Sequence, residues 1–326
     1  MKNIVANFEA QIFEALKIVK ESKFKSTDFE FKNVLICGVG GSGIAGSVVM
    51  DLVHDELKIP LVLCKGYHIP AFVNEKTLVI VSSYSGNTEE TLEAFKQANA
   101  LGAEIAVVSG GGKLLSLAED KNLNCILLPD GYPPRAVFNF SVISVMAVLN
   151  KYGLISDRFY FEFEKSVKLL VDNQDKIIEE AKTIAQRLGN KIPVVYAMKG
   201  FEGVATRLRQ QFNENAKTLG WSNVIPEMNH NEILGWRTNT DNLLVINLRT
   251  PNEFSRNAKR FEVSQEIYGK YTDDIFNIWS SGASQIENTM YLVNFADWLT
   301  VFVAEEKGVD AMEFDIIEFL KGRLAE

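Results

Sequence analysis

In LVIVSSYSGNTEE, residues 78–90, a short β-branched run from Leu78 to Val81 breaks into a polar turn and then into residues suited to a helix. A short β-branched run followed by a helical stretch fits a strand of a parallel sheet with crossover helices. The flanking sequence repeats the unit. Val34 to Cys37, Leu61 to Leu63, Ile105 to Val108 and Cys125 to Leu128 are further such runs separated by longer helical stretches, the alternation that builds an α/β layer. Phe8, Ile12, Leu16 and Val19 recur at helical spacing and predict an opening amphipathic helix, while the apolar run Ala136 to Leu149 predicts a buried helix closing this half.

The second half has the same plan. After a charged helical region, Phe161 to Leu188, strands are expected at Pro193 to Ala197, Leu243 to Asn247 and Ile275 to Trp279. LLVINLRTPNEFS takes the place of LVIVSSYSGNTEE, and IFNIWSSGASQIE that of IAVVSGGGKLLSL, in order and approximate spacing. Internal duplication is the simplest source of such agreement. It puts a boundary near Gly153 to Asp157 and predicts an α/β fold of two domains, residues 1–153 and 154–326, each a mainly parallel sheet flanked by helices.

The 326 residues are 47% hydrophobic and 23% charged, a balance that gives an ordinary globular chain core enough for two domains. Lys and Arg number 34 against 42 Asp and Glu, a net charge of −8, which argues against a partner bound through a nucleic-acid phosphate backbone. Cys37, Cys64 and Cys125 are odd in number and widely spaced among apolar residues. Neither a disulfide framework nor a CxxC zinc site is expected, and a reducing cytoplasm is. Glu9 and Glu14 interrupt the opening segment where an export signal would be apolar. The long uncharged run Asn33 to Met50 carries Gly38, Gly40, Gly41, Gly43 and Gly46, so it reads as strand, loop and helix, and no membrane segment is expected.

Two glycine-containing turns could carry chemistry. GVGGSG, residues 38–43, satisfies GxGxxG after a strand, but a dinucleotide fold calls for Asp or Glu about 20 residues later. The second strand ends instead in Cys64 and Lys65. That disfavours a nicotinamide site, although Lys65 leaves a phosphorylated nucleotide open, and the missing Lys-Ser/Thr pair excludes a P-loop. SSYSGNTEET, residues 82–91, gathers the hydroxyls of Ser83, Ser85 and Thr88 where a helix begins. Free backbone N–H groups and the helix dipole attract an anion there, whereas a capping box needs only one hydroxyl. With no Lys or Arg beside the hydroxyls, a small phosphomonoester fits better than a polyphosphate. The three His residues form no HxH or HxxxH pair, so no metal is implied.

GVGGSG followed by SSYSGNTEET resembles the sugar isomerase (SIS) domain, an α/β sandwich that binds phosphosugars without a nucleotide. PPRAVF (133–138), NENAK (213–217), PEMNHNE (226–232) and a carboxy-terminal FLKGRL extend the resemblance, over essentially the whole chain, to the bifunctional phosphoglucose/phosphomannose isomerases, a family of two tandem SIS domains. The resemblance implies that Ser83, Ser85 and Thr88 hold a substrate phosphate and that Gly40, Gly41 and Ser42 contact the sugar. It makes Glu214 the base that shuttles a proton between C1 and C2 through a cis-enediol, its pKa raised by burial. Arg135 would stabilise the enediolate, and His230 and Lys321 would move the protons that open the ring. It also implies hexose 6-phosphate substrates, no cofactor, and a homodimer with shared active sites into which His230 comes from the neighbouring subunit. Two other readings use the same residues: a non-catalytic SIS sensor of phosphosugars, which needs only the hydroxyl loop, and an NADP oxidoreductase built on GVGGSG.

Overall fold

A computed structural model describes residues 1–25, 29–239 and 242–324. The chain divides into two compact units, Asn7–Lys168 on the one hand and Leu169–Glu326 together with Met1–Ala6 on the other. The short helix α1 (Lys2–Val5) therefore belongs with the second unit.

In the first unit the opening helix α2 (Phe8–Glu21) buries Phe8, Ile12, Leu16 and Val19, the residues its spacing singles out. There follow β1 (Asn33–Cys37), α3 (Gly40–Leu52), β2 (Leu61–Cys64), β3 (Thr77–Ser83), α4 (Glu89–Ala100), β4 (Glu104–Ser109), α5 (Gly112–Asp120), β5 (Asn124–Leu127) and α6 (Phe138–Lys151). The five strands are all parallel in the order β2-β1-β3-β4-β5. All seven residues of β3 are buried, which is why its sequence is apolar without alternation. One face packs Leu35, Val79, Val81 and Val107 against Phe95 and Ala98 of α4 and Leu114 of α5. The other receives α3 and α6, the latter buried from Phe138 to Leu149. Truncating a fully buried ring such as Phe95 to Ala would cost about 3–5 kcal/mol.

The helix α7 (Arg158–Leu188) contributes its first part to this unit and its remainder to the next. The second unit continues with β6 (Ile192–Met198), α8 (Glu202–Ala216), β7 (Trp221–Ile225), β8 (Leu243–Arg249), α9 (Ser255–Tyr268), β9 (Ile275–Trp279), α10 (Gln285–Lys307) and α11 (Asp315–Leu324). Its parallel sheet runs β7-β6-β8-β9. Taken strand for strand this is the order of the first sheet without β5, so the repeat read in the sequence is also a repeat of topology. The strand β7 is an addition to the sequence reading: WSNVI buries only Val224 and Ile225, and its polar start hides an edge strand. The helix α10 is buried from Ile286 to Ala304, starts in a capping box of Ser284 and Glu287, and stops at Gly308 in a left-handed conformation. Among the described residues no helix is long and apolar enough to cross a membrane.

Candidate active site

The carboxyl ends of β1 and β3 and the turn before α6 supply one group of candidate side chains. Ser83 ends β3 and Thr88 immediately precedes α4. Their hydroxyl oxygens stand 3.0 Å apart, and Ser83 Oγ accepts from the Gly86 N–H at 3.2 Å. Thr88 makes no side-chain cap to α4, so the usual structural use of a hydroxyl at this position does not apply. Ser85 is exposed, its Oγ accepting from Asn87 N at 3.3 Å. The turn depends on Gly86, at φ +67°, where a Cβ would lie 1.7 Å from Gly111 O. Leu114 N donates to Gly86 O at 2.9 Å and Lys113 N to Asn87 Oδ1 at 3.1 Å, which braces the turn from α5. The hydroxyls are thus fixed at the positive end of the α4 dipole, a setting that favours a bound anion.

The glycines of GVGGSG divide between packing and openness. An added Cβ would stand 2.9 Å from Ser82 O at Gly38, 2.6 Å from Pro134 O at Gly41 and 2.6 Å from Gly38 O at Gly43. Gly40 has φ +55° and a Cβ there meets nothing within 4 Å, so it is the position in the loop with space beside it for a ligand. Ser42 is buried on the first turn of α3. The close approach of Gly41 to Pro134 draws the 3-10 turn Pro134–Ala136 onto the loop, and with it Arg135, only 6% exposed. Gly40, Gly41, Ser42, Ser83, Thr88 and Arg135 therefore belong to one local assembly of adjoining loops. Lys65, which leaves room for a nucleotide phosphate in the sequence, donates to Ser47 Oγ of α3 at 2.7 Å.

The remaining candidates lie in the second unit. Glu214 is half-buried on the last turn of α8. Lys217, left-handed at φ +49° just beyond that helix, donates from Nζ to both Glu214 O and Glu313 O at 2.8 Å. The end of α8 is thereby tied to the segment before α11. Lys321 is exposed on α11, as is every residue of that helix. His230 is exposed at the end of the 3-10 turn Glu227–His230.

Two residues beyond His230, Glu232 holds the loop in place. Its Oε1 accepts from Tyr196 Oη at 2.6 Å and Trp221 Nε1 at 2.9 Å, and its Oε2 from Asn223 Nδ2 at 2.6 Å. Burial, reinforced by the Glu232 carboxylate, pushes the Tyr196 phenol far above its usual range and keeps it a donor. Met228 and Trp236 are buried on either side of His230 in sequence, so an exposed imidazole stands on an anchored loop. Sequence reading missed Glu232 because its donors come from β6 and β7, distant in the chain. Its nearness to His230 in PEMNHNE was the only available signal. Among the described residues no three His, Cys, Asp or Glu side chains converge as a possible metal-ligand set.

A family model described as the bacterial phospho-glucose isomerase C-terminal SIS domain matches residues 177–324. A protein named bifunctional phosphoglucose/phosphomannose isomerase, from Caldicellulosiruptor bescii, is 34% identical over 99% of this chain and 98% of its own length. A protein named D-glucosamine-6-phosphate 4-epimerase, from Sulfolobus acidocaldarius, is 32% identical over 88% of this chain and 87% of its own. Among solved structures, the C-terminal domain of glucosamine-fructose-6-phosphate aminotransferase from Francisella tularensis superposes with a TM-score of 0.76, covering 94% of this chain and 96% of that one at 12% identity. That last likeness is one of fold.

Proposed function

The chain belongs to the bifunctional phosphoglucose/phosphomannose isomerase family, and on that premise we propose that it interconverts glucose 6-phosphate, fructose 6-phosphate and mannose 6-phosphate by proton transfer between C1 and C2. The observation that carries the reading is the hydroxyl loop Ser83–Thr88, braced at the start of α4 with its threonine not spent on capping. We assign the sugar phosphate to Ser83, Ser85 and Thr88, and sugar contacts to the neighbouring Gly40, Gly41 and Ser42. Glu214 takes the C2 proton of the aldose and returns it to C1, so one carboxylate serves both halves of the reaction. Arg135 supports the negative charge that develops on the enediolate oxygens. His230 and Lys321 move the protons exchanged between the ring oxygen and the anomeric hydroxyl when the ring opens. The seam of the duplication is assigned to Gly153–Asp157, dividing the tandem domains as residues 1–153 and 154–326.

A phosphosugar sensor would need the hydroxyl loop alone, whereas this chain matches a named isomerase over nearly its full length. The test is a coupled assay offering fructose 6-phosphate and mannose 6-phosphate in parallel, with glucosamine 6-phosphate as control. Turnover of the first two is expected, and Glu214→Gln should lower kcat by about 10²–10⁴-fold with little change in KM. Phosphosugar binding without turnover in the wild type would favour the sensor, and undiminished turnover in Glu214→Gln would remove Glu214 as base.

A homodimer with shared sites completes the proposal. Two features support a second copy: His230 is exposed, and α11 presents Ile316, Phe319 and Leu320 at 81%, 70% and 57% exposure, an apolar display uncommon on a soluble monomer. Glu214→Gln and His230→Ala, each inactive alone, would be unfolded and refolded together in equal amounts. If His230 acts across a two-fold interface, the mixed dimers contain intact sites and activity returns to roughly a quarter of wild type. No return of activity, with mixed dimers shown to be present, would place His230 in the same chain as its Glu214.

A further inference from the structure

Cys37 and Cys64 lie outside the machinery assigned above and are widely separated in sequence, yet they are registered partners at the carboxyl ends of β1 and β2. Neighbouring strands run about 4.8 Å apart, within the Cα separation of roughly 4.4–6.8 Å that a disulfide spans. Both side chains belong to the same core cluster on one face of the sheet. The pair is unequal. Cys37 is 1% exposed, while Cys64 keeps 7% and as a thiol lies within sulfur hydrogen-bond range of Gly66 O and His68 O. A hydrogen bond with Cys37 draws the Cys64 pKa down to about 6 and the same bond, with burial, drives that of Cys37 up. The less buried sulfur, at the strand end, is thus the readier nucleophile and the other a protonated partner in place to resolve it. Cys125 differs: burial raises its thiol to about 11.

We propose that Cys37 and Cys64 are a peroxide-reactive pair that closes into a reversible disulfide and thereby disables the adjoining sugar loop. The Cys64 thiolate attacks one oxygen of a hydroperoxide, the O–O bond breaks to leave a sulfenic acid on Cys64, and the departing hydroxide or alkoxide takes up the proton that Cys64 released on ionising. Cys37 sulfur then displaces hydroxide from the Cys64 sulfenic acid, its own proton completing a water molecule. Two thiols are oxidised by two electrons and, with hydrogen peroxide, one peroxide becomes two waters. The coupling to the loop is direct. Cys37 is followed at once by Gly38, whose N–H donates to Cys64 O at 3.1 Å, and neither Gly38 nor Gly43 has room for even a Cβ. A bond that locks the two strand ends to each other and turns both side chains away from their thiol packing leaves this packed loop no slack.

The test uses the full-length protein, treated with hydrogen peroxide, blocked with N-ethylmaleimide and measured by intact mass and peptide mapping. The loss of two hydrogens, mapped to a Cys37–Cys64 linked peptide, is expected together with about a tenfold or greater fall in isomerase activity, restored by dithiothreitol. Cys37→Ser and Cys64→Ser should keep basal activity and lose the dithiothreitol-reversible fall. The wild-type mass measurement stands even if a variant folds poorly. Absence of the linked peptide, or a linked protein with undiminished activity, would overturn the proposal. A phosphosugar that still binds normally to reduced protein lacking isomerase turnover would instead count against the isomerase reading on which the activity readout rests.

Discussion

The turns after β3 and after β8 occupy the same place in the two halves, and each runs from the last strand residue, Ser83 or Arg249, to a helix that starts six positions later, at Glu89 or Ser255. In the first half that turn carries small hydroxyls and no cation of its own. In the second it carries a cation already neutralised. Arg249 donates from Nε and Nη2 to the two carboxylate oxygens of Glu253 at 2.7 and 2.6 Å, and the two side chains are 7% and 3% exposed. The guanidinium also lies 4.2 Å from the Phe261 ring centroid and 4.4 Å from that of Trp279. Where the first turn holds hydroxyls and no charge pair, the second pairs its cation with a carboxylate of its own turn. One topology therefore carries a hydroxyl-lined turn in one half and a buried ion-pair brace in the other.

The sharpest break of this comparison is Arg249→Met. It leaves the buried Glu253 carboxylate without its partner and should lower stability by about 3–5 kcal/mol in urea unfolding, while KM for fructose 6-phosphate stays within about twofold of wild type. Adding Glu253→Leu should recover most of that stability. A raised KM in Arg249→Met alone would mean that the second turn also serves a ligand.

Gly86→Ala addresses the first turn. Its Cβ would collide with Gly111 O and its φ of +67° disfavours any side chain, so kcat/KM should fall by about 10²-fold or more as the hydroxyls are displaced. Pro251→Ala, in the matching turn of the second half, is exposed and should leave kinetics untouched. Equal effects of the two substitutions would erase the distinction between the turns.

What the sequence could disclose was what is local. The run Leu78 to Val81 followed by SSYSGNTEET contains its own strand, turn and helix start, and both the gathering of hydroxyls at a helix start and the parallel sheet were legible from it. The glycines of GVGGSG were legible as a tight loop, but their separate duties were not, because Gly41 is specified by Pro134 and Gly38 by Ser82, through space. The same reason conceals Glu232 behind donors on β6 and β7, the Arg249–Glu253 brace behind Phe261 and Trp279, and the Cys37–Cys64 register behind the pairing of β1 with β2. The strand β7 went unread because an edge strand need not be apolar throughout. The long helix α7 shows a different limit: its amphipathic pattern runs on without a break where the compact units divide at Lys168 and Leu169.

The assignment of the substrate phosphate to the first turn is tested most directly by KM for fructose 6-phosphate in Ser83→Ala/Ser85→Ala beside wild type. Hydrogen bonds to a phosphate act in ground and transition states alike, so KM should rise by about tenfold or more while kcat changes far less. An unchanged KM in a folded double variant would contradict the assignment and put the phosphate elsewhere.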